Sequence, residues 1–197
     1  MSDATSIPST SATASLTEAL KGRVCAEVDR LADRLIDASH QIHEHPELNF
    51  EEVFAHDLLT SIIDDAGVSA TRHAYDVGTA FEARAGRKGA EIAVLCEYDA
   101  LPSIGHACGH NVIATAGLGA GLAAAVVAEE AGGRLRIMGT PAEEGGGGKI
   151  EMGRKGAFDG LAAAMMVHPA DADLIRMDAI AIQELHTTYE GLSLIHI

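Results

Sequence analysis

The alternation of apolar and polar positions divides this 197-residue chain into a polar leader, two helices and a run of alternating strands and helices. Residues 1–15 are rich in Ser, Thr and Ala and show no apolar period, so a disordered leader is expected there. From Leu16 to Glu44 the spacing turns helical. Leu31, Leu35 and Ile36 recur at offsets of four and five, with Val24, Val28 and Ile42 extending the same side. His43-Glu-His-Pro-Glu47 ends this helix, since proline disfavours helical backbone in the residue before it. A second helix is predicted over 50–66, with Asn49 as its cap, Glu51 and Glu52 in its first turn and Gly67 as its stop.

The pattern then changes period. Strands are predicted over 79–85 and 91–96, separated by the turn Gly86-Arg-Lys-Gly89, and the second is apolar enough to be covered on both faces. A long helix follows over 111–130, where Gly117, Gly119 and Gly121 give a narrow waist for close packing. Next come a strand over 134–139, a short helix over 149–155 and a strand over 162–167. Strand–helix alternation of this kind specifies an α/β fold: a three-layer, mostly parallel sheet with helices on both faces. Ligands of such sheets gather at the carboxyl ends of the strands. Residues 179–190 partly alternate apolar and polar positions and resemble a strand opening a new unit. The closing Leu192-Ser-Leu-Ile-His-Ile197 resembles translated adapter DNA and is read as non-native, so the gene is expected to continue.

Hydrophobic residues are 47% of the chain, enough for a core, but tryptophan is absent and aromatics are 4%, so that core is built from Ala, Val, Ile and Leu. A formal net charge of −15 argues against nucleic acid or an anionic membrane as partner. Three irregularly spaced cysteines, Cys25, Cys96 and Cys108, fit a reducing, cytoplasmic setting better than a disulfide framework. No basic-then-apolar signal segment opens the chain, and no apolar run reaches the ~18 residues that span a bilayer.

Candidate chemistry clusters where the predicted strands end. Glu97, Asp99, His106, Cys108 and His110 lie within fifteen residues, after the strand over 91–96. Thiolate, imidazole and carboxylate together are the donor set for zinc or a similar divalent ion, and Gly109 lets Cys108 and His110 converge. Glu143-Glu144 follows the next strand and His168 the one after. Each has a plainer reading: a buried thiol, a solvated turn, an ordinary loop histidine. Tyr98 reads as packing, and His40, His43, His45, His56, His73, His186 and His196 as surface or loop positions.

In series, Glu97-Tyr-Asp-Ala-Leu-Pro102, Gly105-His-Ala-Cys-Gly-His-Asn111, Gly139-Thr-Pro-Ala-Glu-Glu-Gly-Gly-Gly147 and Val167-His-Pro169 resemble the M20 metallopeptidase family. The likeness is to its amidohydrolase branch of aminobenzoyl-glutamate hydrolases, aminoacylase-like enzymes and related dipeptidases. His45-Pro-Glu-Leu48 with Glu51-Glu52 matches that branch as well. The resemblance implies two divalent metal ions (zinc or manganese, with cobalt possible) held by Cys108, His110, Glu144 and His168. It implies Glu143 as the general base that takes a proton from metal-bound water, with Asp99 and His106 orienting the ligands from behind. The implied reaction is hydrolysis of the amide bond of an N-acyl amino acid, a dipeptide or an aminobenzoyl-glutamate-type substrate. The implied layout is a catalytic part over 16–178 and the start of a lid and dimerisation domain over 179–191. A homodimer forming through the remainder of that lid is implied too.

Three rival readings carry different signatures. A hydrolase with Cys108 as nucleophile would need His106 or His110 as its base and leaves the glutamate pair unused. A phosphate loop at Gly145-Gly-Gly-Gly-Lys149 fails, because Glu143 and Ile150 occupy positions that motif reserves for Gly and for Ser or Thr. A folded but inactive fragment is the third, since family members supply a further histidine ligand beyond their lid.

Overall fold

The computed structural model describes residues 10–174 and 187–188. The strand expected over 179–190 lies almost wholly outside the described residues, as do residues 1–9 and 192–197. Helix α1 (Thr10–Glu44) begins inside the stretch expected to be a leader. Its buried stripe is Leu31, Ala38 and Ile42, with Leu35 packed on the same cluster. Ile36 and Val28 turn outward. One residue is about 100° of helix, so Ile36 cannot share a face with Leu35.

Helix α2 (Val53–Asp65) starts later than predicted, and Asn49 is not its cap. Phe50 has φ 62°, which a right-handed helix cannot include. The free donors of the first turn go instead to Glu47, whose carboxylate accepts the Phe54 N–H at 2.8 Å and the Ala55 N–H at 3.0 Å. The Pro46-Glu47 motif is thereby a structural clasp between α1 and α2. It also reaches the site, for the Glu47 carbonyl accepts the Ala100 N–H at 2.8 Å.

Five strands form one sheet in the order β1-β2-β4-β3-β5. They are β1 (Ala70–Arg72), β2 (Phe81–Ala85), β3 (Glu91–Cys96), β4 (Arg134–Gly139) and β5 (Leu161–Met165); α3 (His110–Ala125) and α4 (Gly148–Arg154) lie between them in sequence. β3 runs parallel to both β4 and β5, whereas β2 and β1 join antiparallel. The sheet is therefore mixed, with its parallel part holding the three strands that lead to the candidate residues. β1 falls outside the predicted strands, because three residues carry too little pattern to declare one.

Alternation along each strand sorts the layers. Val94, Cys96, Leu135 and Ile137 face a core shared with Leu31, Ile42, Leu59, Ile63 and Leu118 of α1, α2 and α3. Ala93 and Met138 face the other way, toward Met152 of α4 and Ala157. The glycine waist of α3 is real packing. A Cβ on Gly117 would stand 2.5 Å from the Leu95 carbonyl oxygen, and one on Gly121 would stand 2.6 Å from Ile137 Cγ1. Gly119 faces α1 instead, with Leu35 Cδ1 2.6 Å from its would-be Cβ. Tyr98 is fully buried, stacks on Phe81 at 5.9 Å and donates its hydroxyl proton to the Thr79 carbonyl, as a packing residue should. Among the described residues no helix is long and apolar enough to cross a membrane.

Candidate metal centre

Register brings the candidate residues together. Cys96 at the end of β3 is level with Gly139 at the end of β4, and Thr140 donates its N–H to the Cys96 carbonyl at 2.8 Å. β5 runs alongside in the same direction, with Met165 opposite Val94, so Val167-His168 leaves the sheet at the same edge. Three separate chain segments therefore open onto one place.

The turn that begins α3 needs Gly109. Its φ is 85°, and an added Cβ would stand 3.0 Å from Pro169 Cγ, so glycine permits both the bend and the approach of the His168 segment. Cys108 Sγ is 3.6 Å from His168 Nε2. One ligand atom from each of Cys108, His110 and His168 lies within 4.8 Å of the other two. A second such triad joins Glu97, His110 and Glu143, with His110 common to both. His110 Nε2 is also 3.6 Å from Glu144 Oε1 and 3.7 Å from Glu143 Oε2.

These spacings suit a shared cation. A sulfur at ~2.3 Å and a nitrogen at ~2.1 Å from one tetrahedral ion stand about 3.6 Å apart. Buried polar atoms also lack partners where a cation would sit: His110 Nε2, Glu144 Oε1 and Glu97 Oε2 have no hydrogen bond. Donor set, spacing and orphaned atoms agree, and the residues fit a divalent metal centre.

Asp99 organises the site from beneath. It is 1% exposed, and His110 Nδ1–H donates to its Oδ1 at 3.0 Å while the Glu144 N–H donates to its Oδ2 at 2.9 Å. Burial works to raise the Asp99 pKa, but these bonds outweigh it and hold the carboxylate below its ordinary range. Glu52 does similar work from the far side. Its buried carboxylate accepts the Ala142 N–H at 2.8 Å and the Thr79 hydroxyl at 2.6 Å. Ala142 has φ 56°, a left-handed conformation costing about 1–2 kcal/mol in a residue with a Cβ, and Glu52 helps to hold it. The Glu143-Glu144 turn is thus suspended between two buried carboxylates. From the sequence Glu52 reads as a first-turn residue of a helix, and nothing local marks a contact with residue 142.

His106 is placed differently from Asp99. It is 7% exposed and its ring lies 6.4 Å from that of His43. No bond from it orients Cys108 or His110. Lys149, which fails as a phosphate-loop lysine, instead pairs its ammonium with Glu97 Oε1.

Electrostatics discriminate between the chemistries. Burial pushes the Cys108 thiol up to about 11, with Glu144, Glu143 and Glu97 adding to the shift. A nucleophilic cysteine is favoured by the opposite shift, whereas a divalent cation beside the sulfur would reverse that balance and favour the thiolate. Burial and the neighbouring Glu97 also raise the Glu143 carboxyl, outweighing Lys149. Burial would lower His110, but the Asp99 hydrogen bond and the surrounding carboxylates win and raise it. Cys25, Cys96 and Cys108 are all free.

Comparisons with known proteins follow the same line. No family model matches the chain. It is 39% identical over 198 residues to an Xaa-Arg dipeptidase of Mus musculus, spanning 93% of this chain and 46% of that protein. It is 35% identical over 187 residues to a p-aminobenzoyl-glutamate hydrolase chain of Escherichia coli, covering 85% of this chain and 38% of that one. The chain thus spans about half, or less, of the length of these curated relatives. Among solved structures, a dinuclear metal-binding peptidase of the M20 family from Bacillus subtilis superimposes with a TM-score of 0.62 at 26% identity, covering 69% of this chain and 42% of that one.

Proposed function

As the chain belongs to the M20 family of metallopeptidases, we propose that it serves metal-dependent hydrolysis of an amide bond, with Glu143 as general base. The observation that carries the reading is the convergence of Cys108, His110 and His168 beside the Glu143-Glu144 turn. Two divalent cations, zinc or manganese, would be held by Cys108, His110, Glu144 and His168. When bound, such ions polarise a carbonyl and acidify water. The rest falls to the protein. Asp99 keeps the His110 proton on Nδ1 and so turns Nε2, as a lone pair, toward the centre. Glu143, with 42% of its side chain exposed, borders the cluster and stays open to solvent. Without a cation, burial and Glu97 raise its carboxyl, the direction that favours proton acceptance. Adjacent Glu144 is held by its own N–H on Asp99, so the two glutamates take separate roles on one turn.

The substrate is an N-acyl amino acid, a dipeptide or an aminobenzoyl-glutamate-type amide whose released portion bears a free carboxylate. The names of the two relatives, an Xaa-Arg dipeptidase and an aminobenzoyl-glutamate hydrolase, support that class. The test combines release of free amino acid from a panel of these amides with metal analysis of the same samples. Chelation should abolish turnover. Glu143→Gln should lower it by about 10²–10⁴-fold while leaving the metal content unchanged. Turnover that survives either treatment refutes the assignment.

A further inference from the structure

Glu97 sits at the end of β3, 2% exposed, and neither the ligand set nor the base of the proposed reaction includes it. Its two oxygens differ. Oε1 receives the ammonium of Lys149, whereas Oε2 is buried with no hydrogen bond. That oxygen lies 3.5 Å from His110 Nε2, which is itself buried and has no hydrogen bond.

The placement of the His110 ring makes this juxtaposition informative. Asp99 Oδ1 takes the Nδ1 side of the ring at 3.0 Å, which leaves Nε2 as the atom that faces Glu97 Oε2. Glu97 Oε2 presents lone pairs, and a buried carboxylate oxygen set against a ring nitrogen with no hydrogen bond on either is favourable only with a positive charge between them. Their separation is informative too: an oxygen and a nitrogen each at ~2.1 Å from one tetrahedral ion are about 3.4 Å apart. Glu143 reaches the same point, completing a triad within 4.8 Å.

We infer that Glu97 is a further ligand of the metal centre, donating Oε2 to the ion bound by His110, with Lys149 clamping Oε1 so that the carboxylate binds through one oxygen. The inference rests on the metal reading of the cleft and adds a carboxylate to its ligand set. It also explains why a lysine stands behind the Gly145–Gly148 run: it holds a ligand in place.

The test uses cobalt(II) and manganese(II) on the purified chain, with affinities taken from competition with a chelator and visible spectra recorded for the cobalt form. Glu97→Gln keeps size and shape but offers a weaker ligand. It should weaken binding of one ion by tenfold or more and shift the cobalt d–d bands, while the thiolate-to-cobalt charge-transfer band from Cys108 persists. Cys108→Ser is the converse control, losing the charge-transfer band. Wild-type affinity in Glu97→Gln, or weaker binding with unaltered d–d bands, overturns the ligand role and leaves the cleft a metal site. If the wild-type chain takes up neither ion, the cleft reading and this inference fall together. Should Glu97→Gln not fold, Glu97→Asp keeps the charge, withdraws the oxygen by one methylene and is read by the same criteria.

Discussion

Asp99→Asn isolates the organising principle of the site. The substitution replaces one carboxylate oxygen by an amide nitrogen and changes almost nothing in volume. In the wild type, two donors from different elements meet the two oxygens: His110 Nδ1–H at 3.0 Å and the Glu144 N–H at 2.9 Å. An asparagine has one acceptor oxygen, so whichever way its amide is turned, one donor faces an NH2 group. At 1% exposure no bulk water makes up the difference. A buried donor left unpaired costs about 1–3 kcal/mol. If the amide turns against His110, the ring favours the opposite tautomer and points a proton at the metal. Loss of such an orienting partner lowers metal affinity by about 10–100-fold. Urea titration of the metal-free protein reads the first effect as a lower midpoint at constant slope, and chelator competition reads the second. A variant that matches the wild type in both would refute the claim that Asp99 orients His110 and suspends the glutamate turn.

Two further outcomes follow from other parts of the structure. The Cys108 thiol, pushed up to about 11, carries a proton at neutral pH, so binding through its sulfur must expel it. Apparent affinity should rise about tenfold per pH unit for each proton released, and Cys108→Ser should remove one proton from that slope; an affinity flat with pH would contradict it. The glycine waist gives a paired test of packing. Gly117→Ala places a methyl 2.5 Å from the Leu95 carbonyl oxygen, a backbone atom that cannot turn aside. Overpacking of about 1–3 kcal/mol should then exceed the gain of about 1 kcal/mol in helix propensity. Gly119→Ala meets only the flexible tip of Leu35 and should be near neutral. Denaturation midpoints in the reverse order would show that α3 does not rest on β3 through Gly117.

Much of this protein was legible from residue order because the relevant signals are local. Periodicity marked β3 and β4 to the residue, since a run of apolar side chains between turn glycines has one economical conformation. Thiol, imidazole and carboxyl groups placed just after such strands announced a cation, and Gly109 between Cys108 and His110 announced a bend. What local order could not carry is which atoms meet across long separations. Nothing near residue 52 signals a bond to Ala142, nor anything near residue 149 a pairing with Glu97. The outward turn of Ile36, the Glu47 clasp on α2 and the antiparallel side of the sheet likewise come from how elements pack, not from their own patterns. Residue order alone settles the donor chemistry and the strand ends that bear it. That those ends share one edge, and that Glu97 Oε2 and His110 Nε2, both buried and without hydrogen bonds, stand 3.5 Å apart, depends on the packing of the elements on one another.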